Sequence, residues 1–219
     1  MENLRHPQYE RIANFYDAFL TLSGFKRGVE NFLDRIDFPF SKGARVLDAG
    51  CGTGLVAIYL AKRFPDIKIY AADIDLRMLE ETDKIIKEEG IANISLFQSD
   101  LNIPHSLNDF KLERELNLPE NFFDAIITSG VLEHVQIDLV IPRLVSLIRP
   151  GGMFLNLGVR RNPAGAVLGM VYKFKPHSLE EIRKHCRHSG LTDIRTLRLR
   201  ASDFPANLSR VSVIARKKI

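Results

Sequence analysis

The sequence predicts an α/β fold, in which a mainly parallel β-sheet carries helices on both faces. Two observations predict it. Short apolar segments alternate with segments of helical period over most of the 219 residues, and a glycine-rich turn joins the first strand to the next helix. An apolar share of 45% is enough for a sizeable core in a chain of this length.

The first forty residues precede the predicted sheet. Apolar side chains recur at three- and four-residue intervals between residues 8 and 36, which predicts one or two helices. Seven strands are predicted after them, at residues 46–49, 67–72, 94–97, 123–129, 153–158, 193–199 and 210–216. The link between the last two strands is too short for a crossover helix, so we expect the last strand to be antiparallel.

Helices are predicted between these strands, at residues 55–64, 76–89, 139–148 and 178–189. Asp75 is the expected N-cap of the second helix, and Gly90 is its expected end. Ser178 and Glu181 have the spacing of a capping box, which predicts the start of the fourth helix. We therefore expect one domain over residues 1–219.

The turn after the first strand reads VLDAGCGTG and carries glycines at three alternate positions, Gly50, Gly52 and Gly54. Glycine tolerates positive φ and has no Cβ, so a ligand can approach this backbone closely. The sequence therefore predicts a nucleotide-type site at this turn.

Polar residues stand at the predicted carboxyl ends of four strands, namely Asp48, Asp73, Asp100 and Ser129. Ligands of such sheets bind beyond these strand ends, so we expect the four residues to lie near the glycine turn. Asp73 has the position of an acid that accepts hydrogen bonds from ribose hydroxyls. Asp100 has two interpretations, a residue that forms an Asx turn or an acceptor for an adenine amino group.

The glycine spacing separates the nucleotide classes. A dinucleotide fingerprint needs a glycine at the position of Leu55, and a P-loop needs a Lys followed by Ser or Thr, which this turn lacks. Residues 46–54 instead resemble motif I of the class I S-adenosylmethionine-dependent methyltransferases. The resemblance implies the Rossmann-like fold of that class, with a seven-stranded sheet.

Further segments are similar to later motifs of the small-molecule (type 11/25-like) branch of that family, at residues 73–79, 99–101, 123–135 and 147–152. Residues 9–17 resemble its cap helix, in which a tyrosine lies over the cofactor. The resemblance implies that S-adenosylmethionine binds as cofactor and leaves as S-adenosylhomocysteine. The implied cofactor-binding residues are Tyr16, Asp48, Gly50, Cys51, Gly52, Gly54, Asp73, Ile74, Met78, Asp100, Leu101 and Ser129.

The resemblance also implies methyl transfer to a small-molecule acceptor by in-line displacement. A general base is needed only if the acceptor must lose a proton, so the catalytic residue is unknown and His134 is a weak candidate. No metal is expected. The variable insertions at residues 102–121 and 160–177 fall where this family varies its substrate lid, and residues 1–40 are expected to form an N-terminal helical cap.

Two alternatives stay open. Residues 160–200 carry ten lysines and arginines against three acids, which suits an RNA methyltransferase, although we do not expect a nucleic-acid partner. The second alternative is a regulatory protein that binds the cofactor but does not catalyse methyl transfer. Neither a long apolar run nor a disulfide framework is present, since Cys51 and Cys186 are the two cysteines, so we expect no transmembrane segment and a cytoplasmic location.

Overall fold

The computed structural model describes residues 24–112 and 114–219. The predicted cofactor residue Tyr16, and the part of the helical cap before residue 24, lie outside the described residues. Helix α1 (Phe25–Asp34) begins after Gly24, and its buried side chains include Val29, Phe32 and Leu33. A helix is thus present in the later part of residues 8–36, where one or two helices were predicted.

One sheet of nine strands runs through the chain. Its strands are β1 (Arg45–Ala49), β2 (Lys68–Asp73), β3 (Ile94–Gln98), β4 (Ser106–Asp109), β5 (Glu115–Asn117), β6 (Phe123–Ser129), β7 (Ile148–Val159), β8 (Leu191–Leu197) and β9 (Arg210–Lys217). Their spatial order is β5-β4-β3-β2-β1-β6-β7-β9-β8. Strands β3, β2, β1, β6 and β7 are parallel neighbours, whereas β9 is antiparallel to both β7 and β8. The mainly parallel sheet and the antiparallel last strand are confirmed.

The strand count differs from the expected seven because residues 102–121 form two extra strands. Strand β4 pairs with β3 through Phe97 and Asp109, and β5 pairs with β4 through Leu107 and Leu116. Leu107 is buried, but its neighbours in these short strands are mostly polar and exposed. These strands form because they pair with the edge of β3. Short polar segments show no clear alternation of apolar residues, so the sequence does not predict them as strands.

The remaining helices are α2 (Leu55–Arg63), α3 (Leu76–Glu88), α4 (Ile137–Leu147), α5 (Pro163–Tyr172), α6 (Leu179–His188) and α7 (Ala206–Ser209), with 3₁₀ turns at Leu132–His134 and Ala201–Asp203. Helix α5 lies within residues 160–177, the second of the two variable insertions, for which the sequence had predicted no helix. It begins at Pro163, and the side chain of Asn162 accepts a hydrogen bond from the Gly165 amide at 2.8 Å.

The core lies on both sides of the sheet. Successive residues of β1 point to opposite faces, so Val46 packs with the helices α1, α2 and α3, whereas Leu47 packs with α4 and α6. Helices on both faces are therefore confirmed. Within residues 24–112 and 114–219, no helix is long and apolar enough to cross a membrane.

Candidate functional site

The glycine turn lies between β1 and α2 and adopts a backbone that favours glycine. Gly50, Gly52 and Gly54 have φ values of 74°, 54° and 80°, all in the left-handed region. The amides of Gly50 and Cys51 both donate to the Ala72 carbonyl, at 2.8 and 3.0 Å. The turn is thereby fixed against the end of β2, the neighbouring strand.

The three glycines differ in what surrounds them. A Cβ on Gly50 would lie 2.4 Å from a methyl group of Val131, and a Cβ on Gly54 would lie 2.6 Å from the Thr82 methyl. A Cβ on Gly52 would meet no atom of residues 24–112 and 114–219 within 4 Å. Gly50 and Gly54 are therefore needed for close packing, whereas Gly52 faces open space.

Asp73, the last residue of β2, holds this turn in place. One carboxylate oxygen accepts from the Gly52 amide at 2.8 Å, and the other accepts from the Asp75 amide at 3.0 Å. The Thr82 hydroxyl donates to the Gly52 carbonyl at 3.0 Å, so both the amide and the carbonyl of Gly52 are hydrogen-bonded. Burial raises the pKa of Asp73, and the two backbone hydrogen bonds oppose that shift.

Asp48 supports the turn from beneath. Its side chain is 1% exposed, and Oδ2 accepts from the amide of Ala57 in the first turn of α2 at 3.0 Å. Gly54 is the N-cap of that helix and offers no side-chain oxygen, so Asp48 satisfies one of the unpaired amides. The other oxygen, Oδ1, is buried without a hydrogen-bond partner in the described part of the chain, and burial raises the pKa of Asp48 to about 7.

The Cys51 and Leu101 side chains point into the core. Cys51 is 8% exposed and Leu101 is 7% exposed. Burial raises the pKa of the Cys51 thiol well above its ordinary value, so the thiol stays neutral and is a poor nucleophile. Cys51 is therefore a packed residue, and a contact of its main chain with the cofactor stays a prediction.

An exposed apolar surface lies beside Asp73. Ile74 is 62% exposed and Leu76 is 45% exposed, whereas Met78, in the first turn of α3, is partly buried. Side chains of this type are usually turned inward, and here the chain presents them next to the glycine turn. Ile74 and Met78 were both expected at the site, and their contact with the cofactor stays a prediction.

Asp100, which follows β3, forms the Asx turn that was the first of its two interpretations. Its Oδ1 accepts from the Asn102 amide at 2.8 Å and from the Asn102 side chain at 2.9 Å. Its Oδ2 takes part in neither bond. The second interpretation, an acceptor for an adenine amino group, is therefore compatible with the turn and stays a prediction.

The carboxyl end of β6 lies on the other side of β1. Ser129 is partly buried there, and the Gly130 amide donates to the Leu157 carbonyl of β7 at 3.0 Å. His134 is exposed, and its ring packs edge-on against Phe174, with 4.9 Å between ring centroids. The weak catalytic candidate thus contacts the segment after α5.

Two residues at this edge were missed by the sequence reasoning. Glu133 accepts from the Val159 amide at the end of β7. Arg210 begins β9 and is 8% exposed, with its guanidinium 5.2 Å from the Phe25 ring centroid. The sequence does place an arginine at the start of an apolar strand, which could have marked Arg210 as a candidate. It does not show that this end of the strand lies near the glycine turn.

Metal ligands do not cluster in this region. Over residues 24–112 and 114–219, no three His, Cys, Asp or Glu side chains come together in an arrangement that could hold a metal ion.

Comparison with known proteins identifies residues 46–152 as a match to the family described as methyltransferase domain. The chain is 28% identical to a demethylmenaquinone methyltransferase of Geobacillus sp. (strain WCH70) over 69% of its own length and 61% of that protein. It is 27% identical to a ubiquinone/menaquinone biosynthesis C-methyltransferase of Syntrophotalea carbinolica, over 80% of its own length and 70% of the relative. The chain thus spans less than two thirds of the first of these relatives.

Solved methyltransferase structures share the fold. A geranyl diphosphate C-methyltransferase from Streptomyces coelicolor A3(2) matches with a TM-score of 0.68 at 11% identity, over 98% of this chain and 87% of that one. The phosphoethanolamine N-methyltransferase 2 of Haemonchus contortus matches with a TM-score of 0.67 at 16% identity, over 88% and 52%. The family model thus matches just under half of the chain, and the chain shares the fold of these solved methyltransferases.

Proposed function

We propose that this chain is an S-adenosylmethionine-dependent methyltransferase that acts on a small-molecule acceptor. The observation that carries the proposal is the glycine turn, in which Gly52 faces open space while Asp73 and Thr82 hold both sides of its main chain. A rigid turn with one open glycine suits a ligand that lies against the backbone.

The residues around the turn fit the cofactor. Each Asp73 oxygen accepts one backbone hydrogen bond and keeps further lone pairs, which suits the ribose hydroxyls. The exposed Ile74 side chain supplies an apolar surface for the adenine ring, and Asp100 Oδ2 supplies an acceptor for its amino group. Bound S-adenosylmethionine supplies a methyl group that is already activated as a sulfonium.

The other expected cofactor residues take different parts in this proposal. Gly50 and Gly54 let the turn pack tightly, and Met78 and Ser129 border the site. The side chains of Asp48, Cys51 and Leu101 are buried, so we assign them to the support of the turn and of the strand ends. Any approach of these three residues to the cofactor is made by their main chain.

A small-molecule acceptor is supported by the relatives. One relative is named for demethylmenaquinone, another is named for ubiquinone/menaquinone biosynthesis, and a structural neighbour is named for geranyl diphosphate. We assign no general base, since the exposed His134 contacts Phe174 and alignment of the reactants supplies much of the acceleration in such transfers. The RNA and regulatory alternatives are outcomes of the tests below.

Calorimetric titration tests the cofactor site. We expect S-adenosylhomocysteine to bind the wild-type chain and NAD to bind weakly or not at all. Asp73→Asn removes the charge and one of the two acceptors for backbone amides, so we expect affinity to fall by about tenfold or more, which is about 1.4 kcal/mol. Tighter binding of NAD, or unchanged affinity in Asp73→Asn, would refute the assignment.

Asp75→Asn is the matched control for that variant. Asp75 caps α3 through the Arg77 amide, and asparagine caps a helix nearly as well as aspartate. We expect wild-type cofactor affinity in this variant. Release of S-adenosylhomocysteine with a panel of small-molecule acceptors tests turnover, and a complete lack of acceptor-dependent release would favour the regulatory alternative. Release with RNA alone would favour the RNA methyltransferase.

A further inference from the structure

Arg210 lies at the same edge of the sheet as the glycine turn, although the two are far apart in the chain. Strand β9 runs antiparallel to β7, so its first residue pairs with Val159 at the carboxyl end of β7. The guanidinium reaches across to β6, where a Cβ on Gly130 would lie 3.4 Å from Nη2. Strand β6 is the direct neighbour of β1, which leads into the glycine turn.

Arg210 is buried and forms no ion pair among the described residues, although the Glu133 carboxylate lies near the same strand end, where it accepts from the Val159 amide. The residue is 8% exposed, and its Nε and Nη1 atoms are buried with no hydrogen-bond partner there. Its ring contact, with Phe25, supplies no acceptor for these N–H groups. A guanidinium that is buried and unpaired carries a desolvation free energy of several kcal/mol. A bound anion would offset this cost.

A buried acid in the segment before β9 is already engaged elsewhere. Asp203 accepts from both terminal nitrogens of Arg35, at 2.8 and 2.5 Å, and from the Arg200 amide at 2.7 Å. Its two oxygens are therefore committed to another arginine. Among the described residues, the exposed Arg35 is thus paired with this buried acid, whereas the buried Arg210 is not.

We propose that Arg210 binds the anionic group of the methyl acceptor, and that the acceptor is a small carboxylate or phosphate. A guanidinium is planar and always charged, and its N–H donors match the oxygens of either group. Its place at the ends of β6 and β7 puts the bound anion beside the glycine turn but outside it. This inference rests on the proposed function, because the acceptor is methylated there.

The test compares Arg210→Met with Arg216→Met. Arg216 lies on the same strand and the same face but at the other end of the sheet, paired with Met153. Thermal unfolding is followed with saturating S-adenosylhomocysteine, in sodium phosphate, sodium acetate or sodium chloride of equal ionic strength. We expect phosphate or acetate to raise the melting temperature of the wild-type chain and of Arg216→Met, but not that of Arg210→Met.

The free protein gives a second readout. If the Arg210 charge has no internal partner, its removal leaves the melting temperature unchanged or raises it, because a desolvation penalty disappears. We expect Arg210→Lys, which keeps the charge without the planar fork, to retain part of the anion response. In turnover, we expect Arg210→Met to raise KM about ten- to hundredfold for carboxylate or phosphate acceptors and to leave it unchanged for neutral analogues.

Three results would overturn the proposal. These are a wild-type chain that responds equally to all three salts, an anion response that survives in Arg210→Met, and a marked drop in the melting temperature of free Arg210→Met, which would reveal an internal counter-charge. A response to phosphate alone assigns a phosphate ester, and a response to acetate alone assigns a carboxylic acid. Failure of S-adenosylhomocysteine to bind refutes the proposed function instead, and the salt comparison in its absence still reports on Arg210.

Discussion

Replacing Gly52 by alanine tests the open side of the glycine turn. The new methyl group would meet no atom of the described residues within 4 Å, so it clashes with none of them. It would project from the main chain into the space where we place the cofactor. Gly50 and Gly54 cannot serve for this test, because a Cβ on either would collide with Val131 or Thr82.

We expect Gly52→Ala to lower both the stability of the fold and the affinity for the cofactor. The φ of Gly52 is +54°, and an alanine in this left-handed region costs about 1–2 kcal/mol of folding free energy. For a chain of this size, that cost lowers the melting temperature by about 2–8 °C. The methyl group also obstructs the cofactor, and we expect affinity for S-adenosylhomocysteine to fall by about tenfold or more.

Gly90→Ala is the matched control. Gly90 follows the end of α3, has a φ of +67°, and would also place a Cβ with no atom within 4 Å. Urea denaturation measures stability in both variants, and calorimetry measures the affinity of each. We expect similar losses of stability and a loss of affinity in Gly52→Ala alone. Wild-type affinity in Gly52→Ala, or an equal loss in Gly90→Ala, would refute the open-cradle interpretation.

Two further predictions concern buried acids. The folded-state pKa of Asp48 is raised to about 7 from 3.8, so its contribution to stability is fully present below the unfolded value and is lost as pH rises through about 7. The free energy of unfolding of Asp48→Asn, relative to wild type, should therefore rise by about 3 kcal/mol between pH 5 and pH 8, and a constant difference in urea denaturation would contradict this. Burial opposes the ionisation of Asp203, but its bonds to Arg35 hold the net pKa below the ordinary value, so its stabilisation is lost as pH falls through that lowered pKa. At neutral pH we expect Asp203→Asn to destabilise the fold by about 3 kcal/mol with unchanged cofactor affinity, and a loss of affinity beyond threefold would contradict its purely structural role.

Local signals predicted most of the fold. The capping box is present as expected, with the Glu181 amide donating to the Ser178 hydroxyl at 3.1 Å and the Glu181 carboxylate accepting from the Ser178 amide at 2.7 Å. Asp75 caps α3, also as expected. These features involve residues two or three positions apart, so the identity of the residues is enough to predict them.

Features that depend on distant partners were not predictable in the same way. Strands β4 and β5 exist because the edge of β3 offers hydrogen-bond partners, and their own sequence is short and polar. The apolar run of α5 has no polar face, which obscured its helical period. Asp73 was expected to face a ribose, but its bond to the Gly52 amide appears only when the turn is seen against β2.

The sequence by itself determined the glycine turn and the acids that follow the strands. Only glycine adopts this run of positive φ values without strain, and strand ends in a parallel sheet must meet at one edge. The tertiary structure decided which distant residues join them. Arg210 lies at this edge because β9 pairs with β7 in the antiparallel direction. Only the tertiary structure shows that its Nε and Nη1 atoms are buried without a hydrogen-bond acceptor among the described residues.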